Sequence, residues 1–198
     1  MTPSLWSWTL AEFRDRSAAG TPTPGGGSVS AVTATLGAGL VVMGLEVTRK
    51  GATAEMAAVL EPLLRSGREL LERLSAHADG DVTAFAGYLR ACALPRTSEA
   101  EKAIRRERMQ RALAAATEGP LATGRDVVAA LGLARQVMEI CKIQVRGDIA
   151  AGADILEGSL AAVLRSVDAN LPGLADTALR ERLQQERTEL AAAVRRHP

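Results

Sequence analysis

Cysteine and histidine are scarce in this chain, at two of each in 198 residues. Cys92 and Cys141 lie in separate apolar segments, which reads as two core thiols rather than a disulfide or a metal site. The histidines are His77 and His197, and neither HExxH nor CxxC occurs, so zinc-site spacing is lacking and no metal is expected. Charge of one sign is lacking too. Lys+Arg 24 against Asp+Glu 23 leaves +1, which offers no general attraction to nucleic acid or to an anionic membrane. Only Lys50, Lys102 and Lys142 are lysines, a bias that carries no functional reading. The opening Met1-Thr2-Pro3-Ser4 lacks the basic, apolar, small-residue order of a signal peptide, so a reduced cytoplasmic setting is expected. Alternating strand patterns, a G-x-S-x-G elbow, a Walker loop, repeats and low-complexity tracts are all missing.

What is present is helical periodicity. Thr9-Leu10-Ala11-Glu12 is a capping-box pattern and predicts a short helix over residues 8–18. An uncharged run over residues 28–45 approaches the length of a membrane span, but its Ser, Thr, Ala and Gly content predicts a buried central helix instead. Small side chains at Ala31, Ala34, Ala38 and Gly44 suit close helix packing, and Gly51 marks its stop. Met56, Leu60, Leu63, Leu70, Leu74, Ala78, Phe85, Leu89 and Cys92 then recur at helical spacing up to Pro95. Ser98 opens the next helix, and Gly119-Pro120 is expected to break it, with Pro120 in the first turn of a following helix. A helix from about residue 148 carries Ile149, Ala153, Leu156, Leu160, Val163 and Val167, and Pro172-Gly173 ends it. A last one, over residues 174–196, places Leu179, Leu183, Leu190 and Val194 on one face. The fold class is therefore all-α, a bundle of about seven helices forming a single domain over residues 1–198.

The richest local signal is Thr21-Pro22-Thr23-Pro24-Gly25-Gly26-Gly27-Ser28. Two prolines stiffen the approach, and three glycines free the backbone before a helix begins. Exposed helix N–H donors favour a carboxylate, phosphate or polarised carbonyl, while the ordinary explanation is a tight connection capped by Ser28. Asp81 falls three residues after Ala78 and four before Phe85, on or beside an apolar stripe. It is either a functional acid or a structural one that is paired or capping. Asp148 reads as an N-cap, Arg96 as a surface arginine or anion ligand, and Asn170 as an amide on the face of Val163 and Val167. His77 reads as a solvated or satisfied helix residue rather than a general base.

The run Pro22-Thr23-Pro24-Gly25-Gly26-Gly27-Ser28 resembles the opening motif of the cyclodeaminase/cyclohydrolase family of folate enzymes. The resemblance continues through Met43 and Thr48, Asp79-Gly80-Asp81 with Ala84-Phe85, and Ala93-Leu94-Pro95. It extends to Arg105, Pro120-Leu121, Asp148 and Asn170-Leu171, and spans about residues 10–172. The chain departs from the family pattern at Glu46, at Arg49-Lys50-Gly51, at Arg96 for a lysine, at Gly147 for a serine and at Ser166 for an asparagine.

What the resemblance implies is an all-helical homodimer acting on tetrahydrofolate that carries a one-carbon unit, with no cofactor beyond that substrate. The implied reaction is hydrolysis of 5,10-methenyl- to 10-formyltetrahydrofolate. Cyclisation of the 5-formimino form with ammonia release is the alternative. No formiminotransferase segment precedes the domain in this sequence, which favours hydrolysis. Asp81 is the expected acid–base group, and Asp148 is expected to orient water or stabilise positive charge. Pro24, Gly25, Gly26, Gly27, Ser28, Arg96 and Asn170 form the expected substrate-binding set. The expected partner is a reduced folate, with neither nucleic acid nor membrane. Two non-catalytic readings stand beside this one: a folate-binding or structural helical dimer, and an adaptor that uses the last helix.

Overall fold

The computed structural model describes residues 3–195. Every regular element within them is helical: α1 (Leu10–Ser17), α2 (Gly26–Arg49), α3 (Ala54–Cys92), α4 (Glu99–Ile140), α5 (Arg146–Asn170) and α6 (Thr177–Arg195). Short 3-10 turns occupy Leu5–Ser7, Ile143–Val145 and Leu171–Gly173. Arg196, expected at the end of the last helix, and His197 lie outside the described residues.

Helix starts obey the local signals. Thr9 and Glu12 complete a reciprocal capping box on α1, as Ser98 and Glu101 do on α4, and Thr53 caps α3. Gly51, at φ +75°, turns the chain after α2.

Among the described residues there are six α-helices, not about seven, because Gly119-Pro120 does not break α4. Pro120 has no N–H to offer the Ala116 carbonyl one turn back. Asn170, at the end of α5, supplies the missing donor: its Nδ2 lies 2.9 Å from the Ala116 oxygen. With that bond replaced from outside, a 42-residue helix continues through the proline.

Helices α2, α3, α4 and α5 pack in chain order as a ring, and α2 closes it against α5. Ala34, Ala38, Val41 and Leu45 of α2 are almost wholly buried. Among the described residues α2 is the helix long and apolar enough to cross a membrane, and its neighbours cover most of it. Close packing on α5 rests on paired glycines. A Cβ on Gly152 would stand 2.7 Å from the Gly37 carbonyl oxygen, and one on Gly37 would stand 2.9 Å from that of Gly152. Leu60, Leu64, Leu74, Leu121, Ile149, Leu156 and Leu160 fill the core. Met56 and Leu89, expected on the apolar stripe of α3, are instead 36% and 45% exposed, since both lie near its ends. Helix α6 packs on α4 and α5 through Leu183 and Leu190, and Arg187 forks onto Asp168 at 2.7 and 2.8 Å.

Unequal lengths create the site. At about 1.5 Å per residue, α3 (39 residues) and α4 (42 residues) run to roughly 60 Å, while α2 (24 residues) and α5 (25 residues) reach roughly 37 Å. Where α2 begins and α5 ends, the two long helices continue alone and leave a cleft between them.

The glycine pair yields a stability prediction. Gly152→Ala pushes a methyl against backbone rather than a yielding side chain, and is expected to cost about 1–3 kcal/mol in chemical denaturation. Gly158→Ala, on the exposed side of the same helix with open space at its Cβ, is expected to be neutral or to stabilise by about 0.5–1 kcal/mol.

Candidate active site

The proline–glycine run sets the first turn of α2. Gly25 is the N-cap, and its N–H donates to Ser28 Oγ at 3.1 Å. Ser28 is therefore the third residue of the helix, not its cap. Gly25 has no side chain to offer, so the serine satisfies the turn from within. The Thr23–Pro24 peptide is cis, and Pro24 is buried.

Against this turn lies Asp81 of α3. A Cβ on Gly27 would fall 2.2 Å from Asp81 Oδ1 and 2.7 Å from its Cγ, so only glycine leaves room for the carboxylate. Burial pushes the Asp81 carboxyl above its ordinary value of 3.8, and hydrogen bonding from the hydroxyl and N–H of Ser28 partly opposes the rise. The acid thus sits at a helix N-terminus, where the macrodipole favours negative charge. The helix amides expected to take a substrate group already serve the protein's own carboxylate at Ser28.

Asp79, two residues earlier, faces elsewhere. Its carboxylate accepts from Ser4 Oγ at 2.6 Å and from the Leu5 N–H at 2.8 Å, which straps the N-terminal segment onto α3. Trp6 Nε1 adds a bond to the Ser75 carbonyl at 3.0 Å.

Asp81 opens into a cavity of about 580 Å³ in the cleft, a volume ordinary for small-molecule sites. Helix α3 lines it with His77, Asp81, Ala84, Phe85 and Tyr88, one face at spacings of three and four. Gly25, Gly26 and Gly27 close one side. Ala116, Pro120 and Thr123 of α4 and Val163, Ser166 and Asn170 of α5 form the walls. The chain holds one tyrosine and two phenylalanines, and Tyr88 and Phe85 both line this cavity. Contact with the Cys92 thiol, then burial, pushes the Tyr88 phenol above its ordinary value. Among the described residues no cluster of three or more His, Cys, Asp or Glu is arranged to hold a metal ion.

The chain belongs to the formiminotransferase-cyclodeaminase family. That family's model matches residues 9–189, which takes in the loop, all four ring helices and most of α6. A methenyltetrahydrofolate cyclohydrolase from Methylorubrum extorquens is 34% identical over 187 residues, covering 93% of this chain and 89% of that protein. A formimidoyltransferase-cyclodeaminase from Sus scrofa is 32% identical over 183 residues, covering 91% of this chain and 33% of that protein. The chain therefore spans about a third of the latter relative. The crystal structure of formiminotetrahydrofolate cyclodeaminase from Thermotoga maritima superposes with a TM-score of 0.84 at 25% identity, covering 96% of this chain and 91% of that one.

Of the residues expected to form a formiminotransferase-cyclodeaminase family site, Asp81, Gly25, Gly26, Gly27 and Asn170 meet at the cavity, with Ser28 behind the glycines. Pro24 does not line it. Asp148 does not join them within the chain, and it is not an N-cap either. Val145 holds the N-cap position, and Asp148 stands exposed in the first turn of α5. Fifteen residues separate it from Val163, roughly 22 Å along the helix. Arg96 lies exposed in the connection between α3 and α4, away from the cavity lining. Arg105 donates to the Cys92 carbonyl at 3.0 Å and so braces the end of α3.

Two cavity-lining residues, His77 and Tyr88, and Asp126 behind the first, are not among the residues expected at the site. His77 is held by Asp126 of α4, Nε2 to Oδ2 at 2.9 Å, and Arg73 reaches the other carboxylate oxygen at 3.0 Å. The spacing of His77, one turn before Asp81, is a signal that could have placed it on the same face. Asp126 lies 49 residues away, and no local pattern points to it. Tyr88, seven residues after Asp81, was legible on the same grounds as His77.

Two substitutions test this geometry. Gly27→Ala is expected to rotate the Asp81 carboxylate off Ser28, which a crystal structure of the variant would show directly. Asn170→Leu removes the donor to the Ala116 carbonyl and is expected to cost about 1–3 kcal/mol in denaturant unfolding, the range for an orphaned buried acceptor.

Proposed function

We propose that this chain, a folate one-carbon enzyme of its family, hydrolyses 5,10-methenyltetrahydrofolate to 10-formyltetrahydrofolate, with Asp81 as its acid–base group. The observation that carries the reading is the Asp81 carboxyl, pushed toward its neutral form by burial and aimed into a cavity lined by Phe85 and Tyr88. The 34% identity to a cyclohydrolase of nearly the same length supports the reaction.

The chemistry asks for little beyond proton handling. Positive charge shared between N5 and N10 makes the bridging carbon electrophilic. Water oxygen bonds to that carbon, and one water proton passes to Asp81. The neutral adduct then forms the formyl C=O as the bond from carbon to N5 breaks. N5 keeps the electron pair and takes up a proton. Phe85 and Tyr88 supply flat apolar surface for an aromatic ring, while Gly25–Gly27 allow close approach of backbone. No metal or redox group takes part in this scheme, and a homodimer is its working assembly. Asp148 then has a part only where a second copy of the chain brings it to the cleft.

Cyclisation of 5-formiminotetrahydrofolate with release of ammonia is the second reading. The Thermotoga neighbour, matched over 91% of its length, bears the cyclodeaminase name. The two part in one assay: loss of methenyltetrahydrofolate absorbance against ammonia release from the formimino form. Turnover of neither removes both readings, and titration with a reduced folate then tests a binding module.

Asp81→Asn is expected to lower kcat by roughly 10²- to 10⁴-fold with the helical content unchanged. Wild-type rates in that variant would overturn the assignment. The same variant has a pH signature. The native state raises the acid above 3.8, so it holds the proton longer than the unfolded chain does. Asp81 therefore costs stability progressively as pH rises from below 3.8 through its native value. Relative to wild type, Asp81→Asn should gain stability on going from acid to neutral pH in urea titrations.

A further inference from the structure

We infer that His77, oriented by Asp126, is a second proton-handling group of this cavity, delivering the proton that the departing nitrogen requires while Asp81 takes the one released by water. The inference rests on the hydrolysis proposed above.

Placement comes first. His77 and Asp81 are one helical turn apart on α3, and both line the cavity. The imidazole is fixed across the cleft by Asp126 on α4, Nε2 to Oδ2 at 2.9 Å. That bond sets the tautomer. A carboxylate accepts, so Nε2 carries a hydrogen and Nδ1 is left to gain or lose a proton. Asp126 is itself mostly buried, and its second oxygen accepts from Arg73 Nε at 3.0 Å. A carboxylate bonded to one ring nitrogen is the ordinary orienting group behind a proton-transferring imidazole.

The charged and titratable groups around His77 are Asp126 on α4 across the cleft, Arg73 one turn earlier on α3, Asp81 one turn on, and Tyr88 further along the same face. Histidine is the side chain most often used to shuttle protons in catalysis.

The protons balance. Asp81 begins ionised and His77 begins as imidazolium. Asp81 takes the proton of the attacking water as the O–C bond forms. When the C–N5 bond breaks, His77 protonates N5, and the hydroxyl proton of the adduct leaves to solvent. Asp81 then returns its proton to solvent, and His77 reloads from it. One proton is released per cycle, as a cationic substrate and a neutral product demand.

A purely structural clamp between α3 and α4 is the competing account, and His77→Gln separates the two. Glutamine keeps an N–H donor for Asp126 but cannot carry a proton. The inference expects kcat to fall about 100-fold with KM within about threefold, and the limb of the kcat pH profile that His77 sets to vanish. Asp126→Asn should lower kcat by a smaller factor, and Asp126→Glu should recover part of that loss. Arg73→Gln weakens the clamp without touching the imidazole, and should leave kcat near wild type. Wild-type kcat and an unchanged pH profile in His77→Gln would overturn the inference while leaving Asp81 in its role. Equal loss in Arg73→Gln and His77→Gln would also overturn it, in favour of the clamp. If wild type turned over no methenyltetrahydrofolate, the hydrolysis reading and this inference would both fall. NMR gives a readout apart from rate. The chain has two histidines, so His77→Gln assigns the His77 ring signals, and these should move when 5-formyltetrahydrofolate is added to wild type. Signals unmoved at saturating ligand would overturn the placement.

Discussion

The contact on which the site depends is that between the Asp81 carboxylate and the first turn of α2. It needs three things at once. Gly27 must lack a side chain, since a Cβ there would overlap the carboxylate. Ser28 must offer its N–H and hydroxyl to the acid, and the Gly25 N–H must hold that serine by donating to its Oγ. The three glycines of the loop thus do not form a generic flexible hinge. Gly25 and Gly27 have separate duties, and the second exists for the sake of a residue on another helix. Desolvation and the Ser28 hydrogen bonds act on the acid in opposite senses, and the balance raises it above its ordinary value.

Around that contact the fold supplies an opening rather than a lid. Two long helices overrun two short ones, and the cavity is the space beyond the short pair. Continuity of α4 is essential to this plan, because a break at Pro120 would let the overhang swing. The Asn170 amide prevents it by serving the carbonyl that the proline abandons. Nδ2 gives one of its two hydrogens to that bond, which leaves the other hydrogen and Oδ1 for further partners. One side chain therefore ties the end of α5 to the middle of α4 and also lines the site.

Legibility from sequence followed the range of the interactions. The capping box at Thr9, the N-cap at Ser98, the stop at Gly51 and the burial of α2 rest on neighbours within a few residues, and the structure keeps them all. Asp81 was legible because Leu74, Ala78 and Phe85 fix its phase on α3. The proline in α4 misled because its rescue comes from 54 residues away. Asp148 misled for a different reason. Its place at the start of a helix was readable, but the direction in which α5 runs was not, and that direction carries it to the far end of the bundle. The pairing of His77 with Asp126 was hidden in the same way as the Asn170 bond.

The departures from the family pattern gain meaning only with positions attached. Glu46 accepts from Arg49 at 2.7 Å and from Arg68, and these two guanidiniums hold its carboxyl below the usual range. It joins α2 to α3 away from the cavity lining. Arg96 and Gly147 are exposed, also apart from it. Ser166 alone among the four faces the cavity, on the α5 wall one turn before Asn170. A serine there is shorter than the asparagine it replaces and keeps a hydroxyl in place of an amide. The change enlarges the pocket on the side opposite α3 and leaves the Asp81 side untouched. Three of these four departures thus lie outside the cavity and one alters its wall, while the acid, its glycine and its serine stay together.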